Sequence, residues 1–110
     1  VSLATDYKKL TEDLIKAKEA AIEAAKGDDG GTANLDTMTL QLPRANEKKV
    51  IEAVEAAGLY TRGRTEWIGT RYFIPPPTGG QGNARNRAVE AMAKVMKEAG
   101  WGVLTYYQMD

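Results

Sequence analysis

The stretch 37-TMTLQLPRANEKKVIEAVEAAGL-59 decides the fold class. Its first six residues alternate strictly, with Met38, Leu40 and Leu42 on one face and Thr37, Thr39 and Gln41 on the other. That is the period of a strand buried on one side, its second face polar enough for solvent or for an interface. Pro43 stops the strand because it has no N–H to give to a ladder. The period then lengthens to that of a helix. Asn46 is placed to cap it, Val50, Ile51, Val54 and Ala57 recur at helical spacing, and Gly58 supplies a left-handed terminator.

Downstream, Leu59 to Arg64 and Glu66 to Ile74 read as two strands joined by a tight turn, with Gly63 and Thr65 leaving the register open. A third segment, from about Asn83 to Ala99, places Ala88, Val89, Met92, Val95, Met96 and Ala99 on one helical stripe and is closed by Gly100. Val103 to Met109 is a final strand in which Tyr106 and Tyr107 must point to opposite faces. The order βαββαβ predicts an α+β fold of ferredoxin-like, split βαβ type, with both helices on one face of a four-stranded antiparallel sheet.

Upstream, residues from about Ser2 to Lys26 are rich in Ala, Glu and Lys and form one long helix ended by Gly27. Leu3, Tyr7, Leu10, Leu14, Ala17, Ala21 and Ala24 alternate at spacings of four and three, which is the seam of a helix pair. Ile15 and Ile22 widen that seam. Its partner is either another helix, a second copy of the chain included, or the domain's own sheet. The polar segment 28-DDGGTANLD-36 is a loop. One domain is expected over 1–110, with an N-terminal, potentially oligomerising helix over 1–27 and the α+β core over 37–110.

Cysteine and histidine are both absent from the 110 residues. That removes disulfides, thiolate zinc sites, cysteine nucleophiles and imidazole bases. Fifteen Asp and Glu residues remain, yet none forms a recognisable catalytic spacing. Asp28, Asp29 and Asp36 are the acids closest to a carboxylate–metal set, as a phosphoesterase would use, but capping the loop is the favoured reading of them. No apolar run reaches the roughly 18–20 residues that cross a bilayer, so a cytoplasmic protein is expected. The formal net charge is zero but unevenly spread: −3 over residues 1–43, +4 over 44–87 and −1 over 88–110. All six arginines lie in the middle block. Arginine suits forked recognition of phosphate, so a neutral chain with an arginine-rich centre fits a small anionic ligand better than a long duplex.

The segment 74-IPPPTGGQGNARNR-87 joins a strand to a helix and has two mechanical halves. Three prolines stiffen the first. In the second, Gly79, Gly80 and Gly82 free the backbone so that amides, with Gln81 among them, can converge on an anion. The helix that follows offers its N–H groups and positive dipole end, with Asn83 as N-cap and Arg85 and Arg87 in its first turns. Two arginines there oppose the dipole at roughly 0.3–1 kcal/mol each, and a bound anion would reverse the sign. The bland alternative is a flexible loop with solvent-facing arginines. No Gly-Lys-Ser/Thr follows and no parallel βαβ unit surrounds the glycines, so neither a P-loop nor a dinucleotide fingerprint is present. Trp67, Gly69, Arg71 and Phe73 share one strand parity, which offers a stacking surface and a second cation. Ordinary core packing is the competing use of the two aromatics.

The segments 29–36 (DGGTANLD), 79–101 (GGQGNARNRAVEAMAKVMKEAGW) and 106–110 (YYQMD) resemble the first-described type of phage Thoeris anti-defence sponge, over roughly residues 29–110. The resemblance implies a small homo-oligomeric α/β protein in an infected bacterial host. It would sequester cyclic ADP-ribose signals, and in some members cyclic oligonucleotides, without cleaving them and without a cofactor. It places Phe73 and Asn83 in the nucleotide pocket, because an aromatic about ten residues before an asparagine belongs to that pocket in the family. Arg44, Arg71, Arg85 and Arg87 are candidate phosphate contacts on the chemistry of arginine alone. The alternatives are a single-stranded nucleic-acid module, which would need a matching aromatic pair on the central strands, and a small phage-encoded interaction protein.

Overall fold

The computed structural model describes residues 5–27, 30–31, 34–77 and 82–108. Three helices and four strands follow one another as α1 (Tyr7–Ala25), β1 (Thr37–Gln41), α2 (Glu47–Ala56), β2 (Arg64–Glu66), β3 (Thr70–Ile74), α3 (Asn83–Glu98) and β4 (Gly102–Tyr106). The chain is thus α+β, with a long helix first and one four-stranded antiparallel sheet in the order β2-β3-β1-β4.

β1 carries the alternation that its sequence dictates. Met38 and Leu40 are fully buried, as are Tyr72 and Ile74 of β3, and the register sets Met38 opposite Ile74 and Leu40 opposite Tyr72. These side chains join Val50 and Val54 of α2 and Met92 and Met96 of α3 in one apolar cluster. Each large side chain so buried contributes about 1.5–3 kcal/mol of hydrophobic stabilisation.

α1 starts at Tyr7, not near Ser2, because Asp6 caps it: the Asp6 carboxylate accepts from the Lys9 N–H at 3.0 Å. Its expected seam is real, and the partner is internal. Leu10, Leu14, Ala17 and Ala21 are fully buried, chiefly against α3, and share one apolar cluster with its Ala88 and Met92. Ile15 and Ile22 stay exposed, and Leu3 lies outside the described residues. A polar network locks the far end of this pair. The buried Asp13 carboxylate accepts from Lys9 Nζ at 2.7 Å and from Trp101 Nε1 at 2.9 Å, while Lys9 also donates to the Ala99 carbonyl. Burial alone would raise the Asp13 pKa, but the Lys9 and Trp101 hydrogen bonds and the nearby Lys9 and Lys16 charges outweigh it and hold the group below the usual carboxylate range.

Two expectations for the sheet are corrected. The β2–β3 turn falls at Trp67–Gly69, not between Arg64 and Glu66, because Ile68 (φ +49°) and Gly69 (φ +89°) adopt the left-handed angles of the turn. Gly63, with φ +116°, instead bends the chain just before β2. The second face of the sheet is also not simply solvated. Thr39 is fully buried and Thr37 nearly so, and the Thr39 hydroxyl is satisfied by the Leu104 carbonyl at 2.7 Å. Trp67, at the start of the turn, lies on that face together with Phe73, as their shared parity predicts. Its ring packs against Phe73 at 5.6 Å and Tyr106 at 5.0 Å, and those two rings touch at 5.4 Å.

Candidate functional site

β3 and β4 both run antiparallel to β1, so their C-terminal ends emerge together beside the start of β1. α3 follows β3 and therefore begins at that same end. The result is a cavity of about 470 Å³. Phe73 and Pro75 line it from the end of β3, Tyr106 and Gln108 from the end of β4, Leu35 and Thr37 from the start of β1, and Arg85 from the first turn of α3. The remaining wall is the approach to β2 and the strand's middle residue, namely Tyr60, Arg62 and Gly63 with Thr65.

Among the described residues the lining combines three aromatic rings, Tyr60, Phe73 and Tyr106, with two guanidinium groups and no carboxylate. Tyr60 is 55% exposed, whereas Phe73 is held edge-on by Trp67 and Tyr106, so the two rings can present themselves from different sides. Arg62 is exposed. Arg85 is fixed by donating from Nε to the Asp36 carbonyl at 2.9 Å. Among the described residues neither arginine is in an ion pair. A cavity of this size falls in the range of about 300–1,000 Å³ typical of small-ligand pockets. Aromatic faces beside unneutralised arginines suit a planar ring that carries negative charge.

The residues expected from sequence are dispersed. Phe73 and Arg85 meet in the cavity. Asn83 is exposed and borders a separate depression with Asn34, Asp36 and Tyr107. It is not the N-cap of α3. Gly82 is, with φ +56° and ψ −125°, and the Asn83 N–H donates to the Gly30 carbonyl at 2.8 Å, so that amide already has a partner. Gly82 must be glycine here, since a Cβ would stand 2.3 Å from the Gly30 carbonyl oxygen. Gly80 and Gln81 lie outside the described residues, as do Asp28 and Asp29.

Three arginines serve elsewhere. Arg87 reaches the C-terminus of α1, donating from Nε to the Ala24 carbonyl at 2.8 Å and from Nη2 to the Lys26 carbonyl at 3.3 Å. The negative end of α1's dipole therefore offsets the repulsion from α3's own N-terminus. Arg71 is buried under the Trp67–Gly69 turn, with Nε donating to the Ile68 carbonyl at 3.1 Å and Nη1 lacking a hydrogen-bond partner among the described residues. Arg44 is exposed at the opposite end of the sheet, beside Trp101 and Gly102. Asp36 is a joint: its carboxylate accepts from Asn86 Nδ2 at 3.1 Å and from the Gln108 N–H at 3.0 Å. No cluster of three or more acids that could hold a metal exists among the described residues.

Tyr60, Arg62 and Tyr106 were not expected. Tyr60 and Arg62 are two apart in an extended segment and hence on one side of it, a signal present in the sequence but without meaning until the cavity is known. No helix among the described residues is long and apolar enough to cross a membrane. Comparisons with protein families, curated proteins and solved structures found no match to this chain.

Proposed function

We propose that the protein binds and holds a small nucleotide without transforming it, and that the ligand is a cyclic nucleotide signal of the cyclic ADP-ribose class. The observation that carries this reading is the cavity at the strand ends, where Arg62 and Arg85 stand beside Tyr60, Phe73 and Tyr106 with no carboxylate among the described lining residues. A base would stack on Phe73 or Tyr60, and the arginines would take the phosphates. Retention needs only slow release and no catalytic group, with which a chain free of His and Cys agrees. The resemblance of 29–36, 79–101 and 106–110 to the Thoeris anti-defence sponges supports the choice of ligand class and a homo-oligomeric, cytoplasmic protein in an infected bacterium. The split βαβ reading of the fold is supported by the strand order, which read from β4 is β4-β1-β3-β2, so that each helix-bearing crossover spans one inserted strand.

The deciding experiment is to incubate the protein with cyclic ADP-ribose isomers and short cyclic oligonucleotides, remove free ligand, heat, and analyse what is released. Recovery of intact nucleotide supports sequestration. Recovery of a cleaved product makes the protein an enzyme, and no recovery from any of them refutes the ligand class.

A second reading, binding of single-stranded nucleic acid, is favoured by the aromatic trio Trp67, Phe73 and Tyr106 on the outer face of the sheet. These rings pack edge-to-face on one another and central β1 contributes Thr39, not an aromatic, to that face. Saturable binding of short oligonucleotides that weakens steeply with salt would favour it over the first.

A further inference from the structure

The turn between β2 and β3 carries an unfavourable residue for its shape. Ile68 has φ +49° and Gly69 φ +89°, both in the left-handed region. Two successive positive φ angles at the centre of a hairpin favour an Asn-Gly pair, and a β-branched side chain in the first of those positions is strained. Burial does not compensate, since Ile68 is 67% exposed. The turn is therefore not held by its own preference.

The residue beneath it is Arg71, which is 6% exposed and donates from Nε to the Ile68 carbonyl at 3.1 Å. Among the described residues no acid is in an ion pair with Arg71, and its buried Nη1 has no hydrogen-bond partner. A buried cation in that state is costly, and arginine cannot shed its charge. An apolar side chain of similar volume would fill the space at less cost. What such a side chain could not supply is a charged donor to the strained turn.

The turn in question supports the cavity. Trp67, at its start, packs at a tilt on Phe73 and edge-on against Tyr106, the rings that line the cavity from β3 and β4. Trp67 itself stands behind them and is not part of the lining. Thr65, a further lining residue, is directly opposite Arg71 in the pairing of β2 with β3.

We propose that Arg71 is a positioning residue of the cavity: by pinning the Ile68 carbonyl it fixes Trp67 behind Phe73 and Tyr106, and so sets the aromatic wall on which the ligand stacks. Aromatic contacts depend on ring geometry, so a wall held in place binds more tightly than one that must be ordered by the ligand. Arg71 thus acts on the ligand through Trp67 and touches no phosphate. The effect on affinity rests on the nucleotide reading, whereas the placement of the rings does not.

The test compares the whole wild-type chain with Arg71→Met, which keeps the volume and loses the donor, and with Arg71→Met combined with Ile68→Asn, which builds the Asn-Gly pair that the turn favours. Near-UV circular dichroism of the free protein reports the fixed packing of Trp67. Trp101 stands at the other end of the sheet, beside Arg44, and is common to every variant, so difference spectra isolate Trp67. Arg71→Met should keep the far-UV spectrum, lose the Trp67 signal and bind cyclic ADP-ribose isomers about tenfold more weakly. The double variant should recover both signal and affinity although the charge is still missing, which separates pinning from direct pairing with phosphate. An unchanged near-UV spectrum in Arg71→Met, or a double variant that does not regain it, would overturn the proposal. Recovery of the spectrum without the affinity would make Arg71 a direct phosphate contact, and loss of the far-UV spectrum in Arg71→Met would make it a general support of the fold; either result also refutes it. If the wild type binds none of these nucleotides, the nucleotide reading falls, and the near-UV spectra still decide whether Arg71 places Trp67.

Discussion

Gly82→Ala tests whether the start of α3 is clamped onto the 30–34 segment, on which the placement of Arg85 depends. Gly82 has φ +56° with ψ −125°, a combination that costs a residue with a Cβ about 1–3 kcal/mol. The added Cβ would also stand 2.3 Å from the Gly30 carbonyl oxygen and 3.0 Å from its carbon, and backbone cannot yield as a side-chain tip does. Relieving that clash separates Gly82 from Gly30. It endangers the bond from the Asn83 N–H to the Gly30 carbonyl and the bond from Asn34 Nδ2 to the Gly82 carbonyl, both 2.8 Å. At about 0.5–1.5 kcal/mol for each bond, the total comes to roughly 2–6 kcal/mol. For a domain near this size about 4 °C accompanies each kcal/mol, so the Tm should fall by roughly 8–24 °C. Gly100→Ala is the matched control: φ is +100°, but nothing lies within 4 Å of its Cβ, so only the backbone cost of about 1 kcal/mol applies. Thermal and urea unfolding followed by circular dichroism measure both. If Gly82→Ala melts within about 3 °C of Gly100→Ala, the clamp does not exist and the orientation of Arg85 loses its support.

Further outcomes follow from the site and its supports. Phe73→Ala should weaken nucleotide binding by roughly 1–3 kcal/mol in titration calorimetry, about 5- to 150-fold, whereas Arg44→Ala, at the far end of the sheet, should leave it unchanged. Arg62→Ala should weaken binding about tenfold with no change in Tm, because the side chain is exposed and in no ion pair among the described residues. Arg87→Met should do the reverse, lowering stability by about 1–3 kcal/mol through loss of its bonds to the last carbonyls of α1, with affinity little altered. Asp13 has a folded pKa below its ordinary value of 3.8, so its stabilising contribution is complete above that value and is lost as pH falls through the lowered one. Asp13→Asn should therefore melt lower than wild type at neutral pH and lose less Tm than wild type as the pH drops from about 5 to about 2.

Much of the fold was legible because it rests on local periodicity. The alternation of 37–42, the cap at Asn46, the terminators Gly58 and Gly100 and the stripe of α3 each depend on neighbours within a few residues, and each element lies where that pattern puts it. The β2–β3 turn was not legible, since Gly63 and Gly69 offer equal freedom and only cross-strand pairing chooses between them. The first helix showed a seam but not its partner, because heptad spacing says that a surface is covered and not by what.

Residue order and local pattern were thus enough for the order of elements, the α+β class, the lack of Cys and His chemistry, and a concentration of arginine in the middle of the chain. Which arginines share a site depends on packing between distant segments. Arg62 and Arg85 converge because the ends of β3 and β4 and the start of α3 meet at one end of the sheet, while Arg44 follows β1 to the other end. Arg87 is taken up by the carbonyls of α1, and Arg71 is buried by a turn that also carries Trp67 over the outer face. Residues far apart in the chain are brought together by topology, and topology is fixed by which apolar faces bury one another, a property of the whole chain and of no single segment.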